Sequence, residues 1–531
     1  MFNLNHETEL NKRRTFAIIS HPDAGKTTIT EKMLLLGKII RTAGTIKGRG
    51  NGKFAKSDWM KIEKERGISV TTSVVQFTYK NILINLLDTP GHEDFSEDTY
   101  RILTAVDCCI VIIDAAKGIE ERTQKLINVT RINKTPIITF INKLDRDSRE
   151  PIELIDAIEK EFELSCIPIT WPISCGKNFK GVYHIYDKIL NSYDNMIEQK
   201  NFYFPIKDFS HLFTMLLKKN IDSNLSLKIC EELELINHIY PIFDKNNFLK
   251  GDITPIFFGS ALKNFGINHL LMSLINWAPS PLSRQSNKRI VCPKEKNFTG
   301  FIFKIQANMD LKHRDRIAFM RIVSGQYQKG IKLRHVRIKK DIIISDALSF
   351  VAGDRFLIDH AYPGDVIGLH NHGTIKIGDT FTQGEEIKFI GIPSFAPEIF
   401  RSIILKNPLQ KKQLKKSLVQ LSEEGAVQVF YPIVNNYIIL GAIGTLQFDV
   451  VIHRLKVEYK IDAIYKKVNI VLARWISSDS PDSINLFIKK NSSCIALDNI
   501  NHLIYLAPNI INLNMVMSRY PDIIFNQIKE H

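Results

Sequence analysis

The sequence lacks the features that mark membrane and secreted proteins. In its 531 residues the longest apolar stretch, residues 108–116, is interrupted by Asp114 and is far shorter than the roughly 18 residues that a membrane span needs. The first residues, MFNLNHETELNKRR, do not contain the apolar core of a signal peptide. We therefore expect a protein that has no membrane partner and stays in the cytoplasm.

Clustered cysteines are lacking as well. The seven cysteines include the adjacent pair Cys108 and Cys109, but there is no C-x-x-C motif and no Cys/His group at metal-ligand spacing. This excludes a zinc module of that kind and favours buried, reduced thiols. The sequence also has no internal repeat and no low-complexity tract, and its length indicates about three domains.

Positive charge is present in excess, because 71 Lys and Arg against 56 Asp and Glu give a formal net charge of +15. Such a balance favours an acidic partner, and for a cytoplasmic protein the usual one is nucleic acid. Lys, Ile and Asn are abundant throughout the chain, however, so part of the excess can reflect an AT-rich genome. The charge favours contact with RNA over a merely solvated surface without locating that contact.

The first half of the sequence alternates strand-like apolar runs with helical patterns, which is typical of a parallel sheet covered by helices. The predicted strands are TFAIIS, ILINLLD, CCIVIID, PIITFIN and TPIFFG, and the predicted helices include EERTQKLINVTRI and EPIELIDAIEKEF. We therefore expect an α/β domain with a parallel sheet over residues 1–279. The spacing at about residues 165–250 is too long for one crossover and predicts an insertion.

A Pro-Ser-Pro break at residues 279–281 marks the first domain boundary. The segments FTGFIFKI, RIAFMRIVSG, IKLRHVRI, DVIGLH and TIKIGDT predict the strands of a β-barrel domain over residues 280–391. After it, PLQKKQLKKSLVQLSEEG predicts an amphipathic helix that ends at Gly425, AVQVFYPI and YIILGAIG predict strands, and TLQFDVVIHRLKVEY predicts a second helix. Residues 392–531 are therefore expected to form an α+β C-terminal domain.

A phosphate-binding loop follows the first predicted strand. The segment SHPDAGKT matches the G-x-x-x-x-G-K-[ST] pattern, with Ser20 in place of the first Gly. In that pattern backbone N–H groups and a helix N-terminus bind the phosphates, Lys26 reaches the β- and γ-phosphates, and the Thr27 hydroxyl ligates Mg²⁺. We predict nucleotide contacts for the whole loop, which consists of Ser20, His21, Pro22, Asp23, Ala24, Gly25, Lys26 and Thr27.

A second motif, Asp88-Thr89-Pro90-Gly91-His92, lies at the end of another apolar strand, where an α/β sheet places its ligands. Asp88 is predicted to hold Mg²⁺, directly or through water, and the Gly91 N–H to meet the γ-phosphate, so that loss of this phosphate releases the loop. Thr89 and Pro90 complete this set of nucleotide contacts. A lone His is more often structural than catalytic, but His92 directly follows the phosphate-sensing Gly, where its side chain can orient the attacking water. We predict that His92 is catalytic.

A guanine-reading motif, Asn142-Lys143-Leu144-Asp145, follows the strand PIITFIN. The Asp145 carboxylate can accept from guanine N1–H and the exocyclic N2–H₂, and adenine offers neither donor. Taken alone, the segment is more typical of a helix start capped by Asp, but behind two phosphate motifs we interpret it as the base reader. After the last predicted strand, the backbone N–H groups of Ser260 and Ala261 are predicted to face the guanine O6.

The first switch is predicted to lie between the phosphate loop and Asp88. Residues 44–53, GTIKGRGNGK, predict a mobile loop, and because no strand precedes them they do not form a dinucleotide fingerprint. Within RGISVTT a hydroxyl is needed to complete the Mg²⁺ shell and to sense the γ-phosphate. We assign Ser69 to this role.

Together these motifs resemble those of the translational GTPases. SHPDAGKTT, RGIS, DTPGHEDF, NKLD and GSA are similar to their five guanine-nucleotide motifs, in which Ser or Ala commonly replaces the first loop Gly. Within this family the chain resembles the class II release factors over nearly its whole length. The segments that carry this resemblance are GRGNGKFAKSDWMKIEKERGISVTTSVVQF, FTGFIFKIQANMD, KHRDRIAFMRIVSG, ISDAL, AYPGDVIGLHNHGTIKIGDTFTQGE and LSEEGAVQVF.

The resemblance implies a ribosome-dependent GTPase of translation termination, which stimulates release and recycling of the codon-reading class I release factors after peptide release. It implies GTP or GDP and Mg²⁺ as cofactors, the ribosome with its rRNA and proteins as partner, and a monomer in solution. Most translational GTPases have Thr where Ser69 stands, whereas class II release factors resemble this chain in having Ser, which keeps the hydroxyl without the methyl group that restricts χ1. The sequence has no Gly-Gly-Gln, so the chain is not expected to free the peptide itself.

Three other functions fit the sequence less well. A translocase of the elongation factor G type shares the nucleotide motifs, but this chain is too short for the tRNA-mimicking arm. A small-molecule P-loop kinase has no use for a guanine reader, and an RNA-binding switch would hold GTP without hydrolysing it.

A basic helix of the C-terminal domain fits an rRNA contact and a solvated face equally well. Its lysines are Lys411, Lys412, Lys415 and Lys416.

Overall fold

The computed structural model describes residues 2–39, 73–132, 134–194, 197–307, 316–351 and 354–530. Its N-terminal part contains eleven strands within these ranges: β1 (Arg13–Ser20), β2 (Ser73–Tyr79), β3 (Ile82–Asp88), β4 (Cys108–Asp114), β5 (Ile137–Asn142), β6 (Ser165–Pro168), β7 (Thr170–Ile173), β8 (Gly181–His184), β9 (Ile189–Asp194), β10 (Ile197–Pro205) and β11 (Ile253–Phe258). The helices of this part are α1 (Phe2–Asn11), α2 (Lys26–Leu36), α3 (Ser96–Ala105), α4 (Glu121–Ile132), α5 (Pro151–Phe162), α6 (Phe209–Lys218), α7 (Ser223–Ile239), α8 (Lys245–Lys250) and α9 (Ile267–Trp277).

The main sheet has the strand order β2-β3-β1-β4-β5-β11-β6, and only β2 runs antiparallel to its neighbour. Every residue of β4 and β5 is buried, as continuous apolar runs in a sheet covered on both faces require. This arrangement confirms the predicted α/β domain with a parallel sheet. Strands β7 to β10 form a separate antiparallel sheet, and these strands and α6 to α8 lie between β6 and β11.

The middle part is all β. Its strands are β12 (Arg284–Gln285), β13 (Ile290–Val291), β14 (Thr299–Ala307), β15 (Arg316–Ser324), β16 (Tyr327–Gln328), β17 (Ile331–His335), β18 (Lys340–Ile344), β19 (Ala347–Val351), β20 (Asp354–Ile358), β21 (His360–Ala361), β22 (Val366–His370) and β23 (Thr380–Thr382). Eight of them form a curled antiparallel sheet in the order β18-β17-β23-β14-β15-β22-β19-β20, which confirms the predicted β-barrel class.

One predicted strand of this part, TIKIGDT, is wrong. Residues 374–379 form a loop with a turn at Ile377 and Gly378, and β23 begins only at Thr380. The Asp379 carboxylate accepts from the backbone N–H of Lys376 at 2.7 Å and from the Arg337 guanidinium at 2.5 Å. These local bonds hold the segment as a turn although its apolar residues alternate like those of a strand.

The C-terminal part combines a mixed set of elements: β24 (Pro393–Phe395), β25 (Ile399–Leu405), β26 (Gln428–Pro432), β27 (Ile438–Ala442), β28 (Ala463–Lys467), β29 (Leu472–Ser477), β30 (Ile495–Asp498), β31 (Leu503–Ala507), β32 (Ile524–Asn526), β33 (Ile528–Glu530), α10 (Lys411–Glu423), α11 (Thr445–Val457), α12 (Pro481–Lys490) and α13 (Ile510–Arg519). Eight of the strands form one antiparallel sheet in the order β28-β25-β27-β26-β30-β31-β29-β32. The predicted α+β class of this part is confirmed.

A buried polar cluster joins the N-terminal and middle parts. Arg13 Nε donates to both carboxylate oxygens of Asp365 at 3.0 Å, and Thr15 Oγ1 donates to Gly364 O at 2.7 Å. Asn85 Nδ2 lies 3.3 Å from Gly364 O and 3.2 Å from Asp365 Oδ1. The four residues are at most 5% exposed, so these buried donors depend on the acceptors that Gly364 and Asp365 provide in the middle part.

All seven cysteines are free, and four of them are buried. Cys175 and Cys292 are exposed, so the prediction of buried thiols is wrong for these two. None of the helices in the described ranges combines the length and the apolar character that a membrane crossing requires.

Candidate functional site

The predicted phosphate loop connects the end of β1 to the start of α2. Asp23 has φ 64° and Gly25 has φ 99°, so two left-handed residues turn the chain back towards the helix. Gly25 also lies so close to Asn142 that a Cβ atom on it would overlap the amide nitrogen. Ser20 is the last residue of β1 and has no positive φ, which explains why this loop needs no Gly at its first position.

Lys26 and Asp88 meet at the carboxyl edge of the sheet. The Lys26 ammonium forms an ion pair with the Asp88 carboxylate, and the two residues are 5% and 2% exposed. Thr27 follows Lys26 in the first turn of α2. The structure therefore places a buried ammonium, a buried carboxylate and a nearby helix N-terminus together, as the sequence predicted for phosphate binding.

The loop after β3 packs against the phosphate loop. Thr89 Oγ1 donates to Ile18 O at 2.7 Å, and a Cβ atom on Gly91 would lie 4.0 Å from the Cα of Pro22. His92 follows with its side chain 35% exposed, and its Nδ1 lies 3.2 Å from Asp94 Oδ1. The histidine is thus at the edge of the loop, partly open to solvent and in contact with a carboxylate.

Asn142 connects three of the predicted motifs. Its Nδ2 donates to Ala24 O in the phosphate loop at 2.8 Å, and its Oδ1 accepts from Ala261 N at 2.9 Å. The side chain is 2% exposed. One amide therefore sets the spacing between the phosphate loop, the Asn142–Asp145 segment and the Ser260–Ala261 loop.

The remaining residues of the predicted guanine-reading motif are held by short polar contacts. Ser260 Oγ donates to Asp145 Oδ1 at 2.5 Å, which orients the carboxylate. Leu144 is fully buried, and Lys143 Nζ lies 2.7 Å from Asp114 Oδ2. Burial by itself raises the pKa of the Asp114 carboxyl. Lys143 and neighbouring backbone N–H groups lower this pKa by a larger amount, so the pKa lies below its usual value. The pair is therefore ionic and anchors the segment that carries Asp145.

Two acidic residues beside the predicted nucleotide contacts were not among the predicted residues. His21 Nε2 lies 2.5 Å from Glu120 Oε2, which connects the phosphate loop to the segment before α4. Asp94 contacts His92 and belongs to the DTPGHEDF motif. Its position two residues after His92 was the available signal for a carboxylate beside that ring. Ser69 and residues 44–53 lie outside the described residues.

The helix that follows this loop contacts both other parts of the chain. Asp94 Oδ2 accepts from the backbone N–H of Leu446 at the start of α11, and Ser394 Oγ donates to Glu97 Oε1 at 2.9 Å. Lys304 Nζ of the middle part lies 3.2 Å from Asp98 Oδ2. A displacement of residues 88–92 would therefore act directly on contacts with the other two parts.

Comparison with known protein families finds three consecutive matches. Residues 11–280 match the model described as elongation factor Tu GTP binding domain. Residues 297–384 match elongation factor G domain 2, and residues 389–517 match the C-terminal domain of class II release factor RF3.

Several curated proteins are similar over the full length. Proteins named peptide chain release factor 3 from Buchnera aphidicola subsp. Schizaphis graminum (strain Sg) and subsp. Acyrthosiphon pisum (strain Tuc7) are 71% and 73% identical, with 100% of each chain covered. The protein of that name from subsp. Baizongia pistaciae (strain Bp) is 62% identical over 97% of this chain and 98% of its own length. Among solved structures, a Thermus thermophilus protein has a similar fold, with a TM-score of 0.68, 20% identity, and coverage of 88% of this chain and 71% of that one.

Proposed function

The chain belongs to the peptide chain release factor 3 family, and we propose that its guanine nucleotide is bound by the three loops that meet at Asn142. It is a translational GTPase that acts on the ribosome in translation termination and hydrolyses GTP to GDP and phosphate. The Asn142 bridge is the observation that carries the proposed site, because a single side chain bonds to both neighbouring loops. The contact residues are Ser20, His21, Pro22, Asp23, Ala24, Gly25, Lys26, Thr27, Asp88, Thr89, Pro90, Gly91, His92, Asn142, Lys143, Leu144, Asp145, Ser260 and Ala261.

The donor set at the sheet edge fits Mg²⁺. The Thr27 hydroxyl and the buried Asp88 carboxylate are hard oxygen donors, with Asp88 acting through water, and Ser69 is proposed as the third donor. Bound there, the metal neutralises charge that develops on the β- and γ-phosphates. Lys26, whose ammonium already lies beside Asp88, then contacts the same phosphate oxygens.

In the proposed reaction a water oxygen attacks the γ-phosphorus and the bond to the β–γ bridging oxygen breaks, which yields GDP and phosphate. His92 orients this water, and the ribosome brings its partly exposed ring towards the γ-phosphate. The ring's contact with Asp94 limits its freedom before docking. Positioning and electrostatic stabilisation, rather than covalent catalysis, lower the barrier.

The family resemblance supports the finer partner assignments. We propose that the chain stimulates release and recycling of class I release factors from the ribosome, that it is a monomer in solution, and that it works in the cytoplasm. We also propose three domains, at residues 1–279 with an insertion at about 165–250, 280–391 and 392–531. The sheet compositions support this division, since no described main-sheet pairing crosses those boundaries.

The decisive experiment measures GTP hydrolysis with and without ribosomes, together with displacement of a ribosome-bound class I factor. We expect ribosomes to accelerate phosphate release and GTP to accelerate displacement. Phosphate transferred to an acceptor other than water would indicate a kinase, and displacement without any phosphate release would indicate a non-hydrolysing switch. Either result would reject the proposal.

A further inference from the structure

A cavity of about 600 Å³ lies where the three parts of the chain meet. The helix α3 contributes Glu97 and Arg101, the middle part contributes residues 376–380 and Lys388, and the C-terminal part contributes Trp475, Asp498 and Lys529. The cavity is separate from the nucleotide loops, because none of residues 20–27, 88–92 or 142–145 lines it. Its volume is in the range of small-molecule sites, and it is too small to receive a folded partner.

The carboxylates around this cavity already have cationic partners. Asp379 contacts Arg337, Glu97 contacts Arg101, and Asp498 Oδ2 lies 3.0 Å from Lys529 Nζ. A fourth carboxylate, that of Glu423, lies 2.6 Å from Arg316. The acidic groups therefore leave little negative charge for further cations.

Two lysines of the middle part add positive charge that these carboxylates do not balance. Lys376 and Lys388 line the cavity and form no ion pair within the part of the chain that the structure describes. Burial lowers the pKa of Lys529, Asp498 opposes this shift, and the positive charges of Lys388 and Lys376 reinforce it. Lys376 and Lys388 thus place positive charge on the same wall as Lys529, and an anion in the cavity would offset it.

A buried arginine on α3 adds positive charge beside the cavity. Arg101 is 4% exposed, and its Nη2 contacts Glu97. Its Nε has no hydrogen-bond partner among the described residues, and its Nη1 lies 3.5 Å from Asp98 Oδ1, beyond good hydrogen-bond geometry. Both nitrogens are themselves covered by protein, so Arg101 adds positive charge to this side of the cavity without offering these two atoms to a ligand.

The rest of the wall is apolar, with Ile377, Phe430 and Ile500 among its residues. An apolar wall beside converging cationic groups is the usual composition of a site for a small charged metabolite. We propose that the cavity binds a small phosphorylated molecule, with Lys376 and Lys388 holding its phosphate groups and Lys529, beside Asp498, adding positive charge to the same wall. The ligand stabilises the arrangement in which all three parts meet, since no single part forms the cavity.

The test is equilibrium dialysis of the full-length chain with radiolabelled inorganic pyrophosphate. The protein is first saturated with GDP and Mg²⁺, so that the nucleotide loops are filled. We expect saturable binding of one pyrophosphate per chain. The combined substitutions Lys376→Gln and Lys388→Gln should weaken it about tenfold or more, because charge-assisted bonds to phosphate are lost.

The matched control removes the same charge from another lysine-rich surface. Lys411 and Lys412 are exposed on α10, and Lys411→Gln with Lys412→Gln should leave pyrophosphate affinity unchanged. GDP binding is measured for each variant and should be unaltered. If the double variant folds poorly, the single substitution Lys388→Gln at an exposed position replaces it in the test. No saturable binding by the unmodified chain would overturn the proposal, as would equal losses in the cavity and α10 variants.

Discussion

The Asp94 carboxylate accepts a hydrogen bond of 2.6 Å from the backbone N–H of Leu446, 352 residues further along the chain. The first N–H groups of a helix have no partner within it, and here a residue of another domain satisfies one of them. The other oxygen of the same carboxylate lies 3.2 Å from His92 Nδ1. One side chain thus connects the proposed catalytic histidine to the start of α11.

Gly444→Ala should disrupt this connection. A Cβ atom at Gly444 would overlap the Asp94 carboxylate, and overpacking of this kind typically costs about 1–3 kcal/mol. We expect slower ribosome-stimulated GTP hydrolysis with unchanged GDP affinity, measured by phosphate release and nucleotide titration. Thr445→Ala, at the exposed neighbouring position, is the control, and equal turnover in the two variants would show that the contact is dispensable.

His92→Ala should retain nucleotide affinity and lose most ribosome-stimulated turnover. Loss of a side chain that positions the attacking water typically lowers the rate by about 10²–10⁴-fold. The measurement is single-turnover phosphate release on ribosomes, with GDP and GTP affinities determined separately. His372→Ala, at an exposed histidine of the middle part, should behave like the unmodified chain. Full turnover by His92→Ala would remove His92 from the catalytic residues.

Asp145→Asn should change the preferred base from guanine to xanthine. The carboxylate, which Ser260 Oγ holds at 2.5 Å, suits the N1–H and N2–H₂ donors of guanine, whereas an amide N–H₂ suits the O2 acceptor of xanthine. Competition between GTP and XTP measures the preference in both forms of the chain. If the variant still selects GTP, Asp145 is not the base reader.

Asn142→Ala should weaken nucleotide binding by about tenfold or more, because Ala24 O and Ala261 N each lose a buried partner at about 1–3 kcal/mol per group. Stopped-flow dissociation of a fluorescent GDP provides the measurement. Asn142→Asp separates the two bonds, since it keeps an acceptor for Ala261 N–H and loses the donor to Ala24 O. Unchanged dissociation in both variants would refute the proposed bridge.

His269→Phe should make stability less sensitive to acid. Burial lowers the pKa of His184 to about 4, and burial together with the neighbouring His184 lowers the pKa of His269 to about 4. The unfolded chain therefore binds protons between about pH 6.5 and 4 that the folded chain excludes, so stability falls as the pH decreases through this window and is unaffected above it.

For one such histidine the loss between pH 7 and pH 5 is about 2 kcal/mol. The buried His269 Nε2 has no hydrogen-bond partner among the described residues, so Phe keeps the ring contacts and loses no bond there. Urea unfolding midpoints at the two pH values measure the effect, with the exposed His238→Gln as control. An equal acid-induced drop in both variants would contradict the assignment.

Much of the nucleotide domain could be predicted because its central strands are continuous apolar runs. Strands β1, β3, β4, β5 and β11 were all recognised in this way, and the functional motifs lie at their carboxyl ends. The edge strand β2 and the short β6 were not, since half-exposed or four-residue strands carry weak periodic signals. The strand predicted at residues 374–379 was wrong for the opposite reason. The apolar residues of this segment alternate as in a strand, although the segment is a loop.

The motifs predicted which residues form the site, but they did not indicate how the structure holds these residues. The bond from Asn142 to Ala24 spans 118 residues, and that from Asp94 to Leu446 spans 352. Such contacts depend on how sheets and domains pack, which no local pattern encodes. Glu120 beside His21 was missed for the same reason.

The buried cluster at Gly364 and Asp365 has a consequence for how such proteins can recombine. Arg13 Nε, Thr15 Oγ1 and Asn85 Nδ2 donate to Gly364 and Asp365 of the middle domain, so a chimaera that receives this domain from a distant GTPase would take these acceptors from three buried donors at once. We therefore expect domain exchange between relatives to cost least stability when both sides of the cluster come from the same protein. The N-terminal and middle domains are therefore expected to be inherited together, although their sheets are separate.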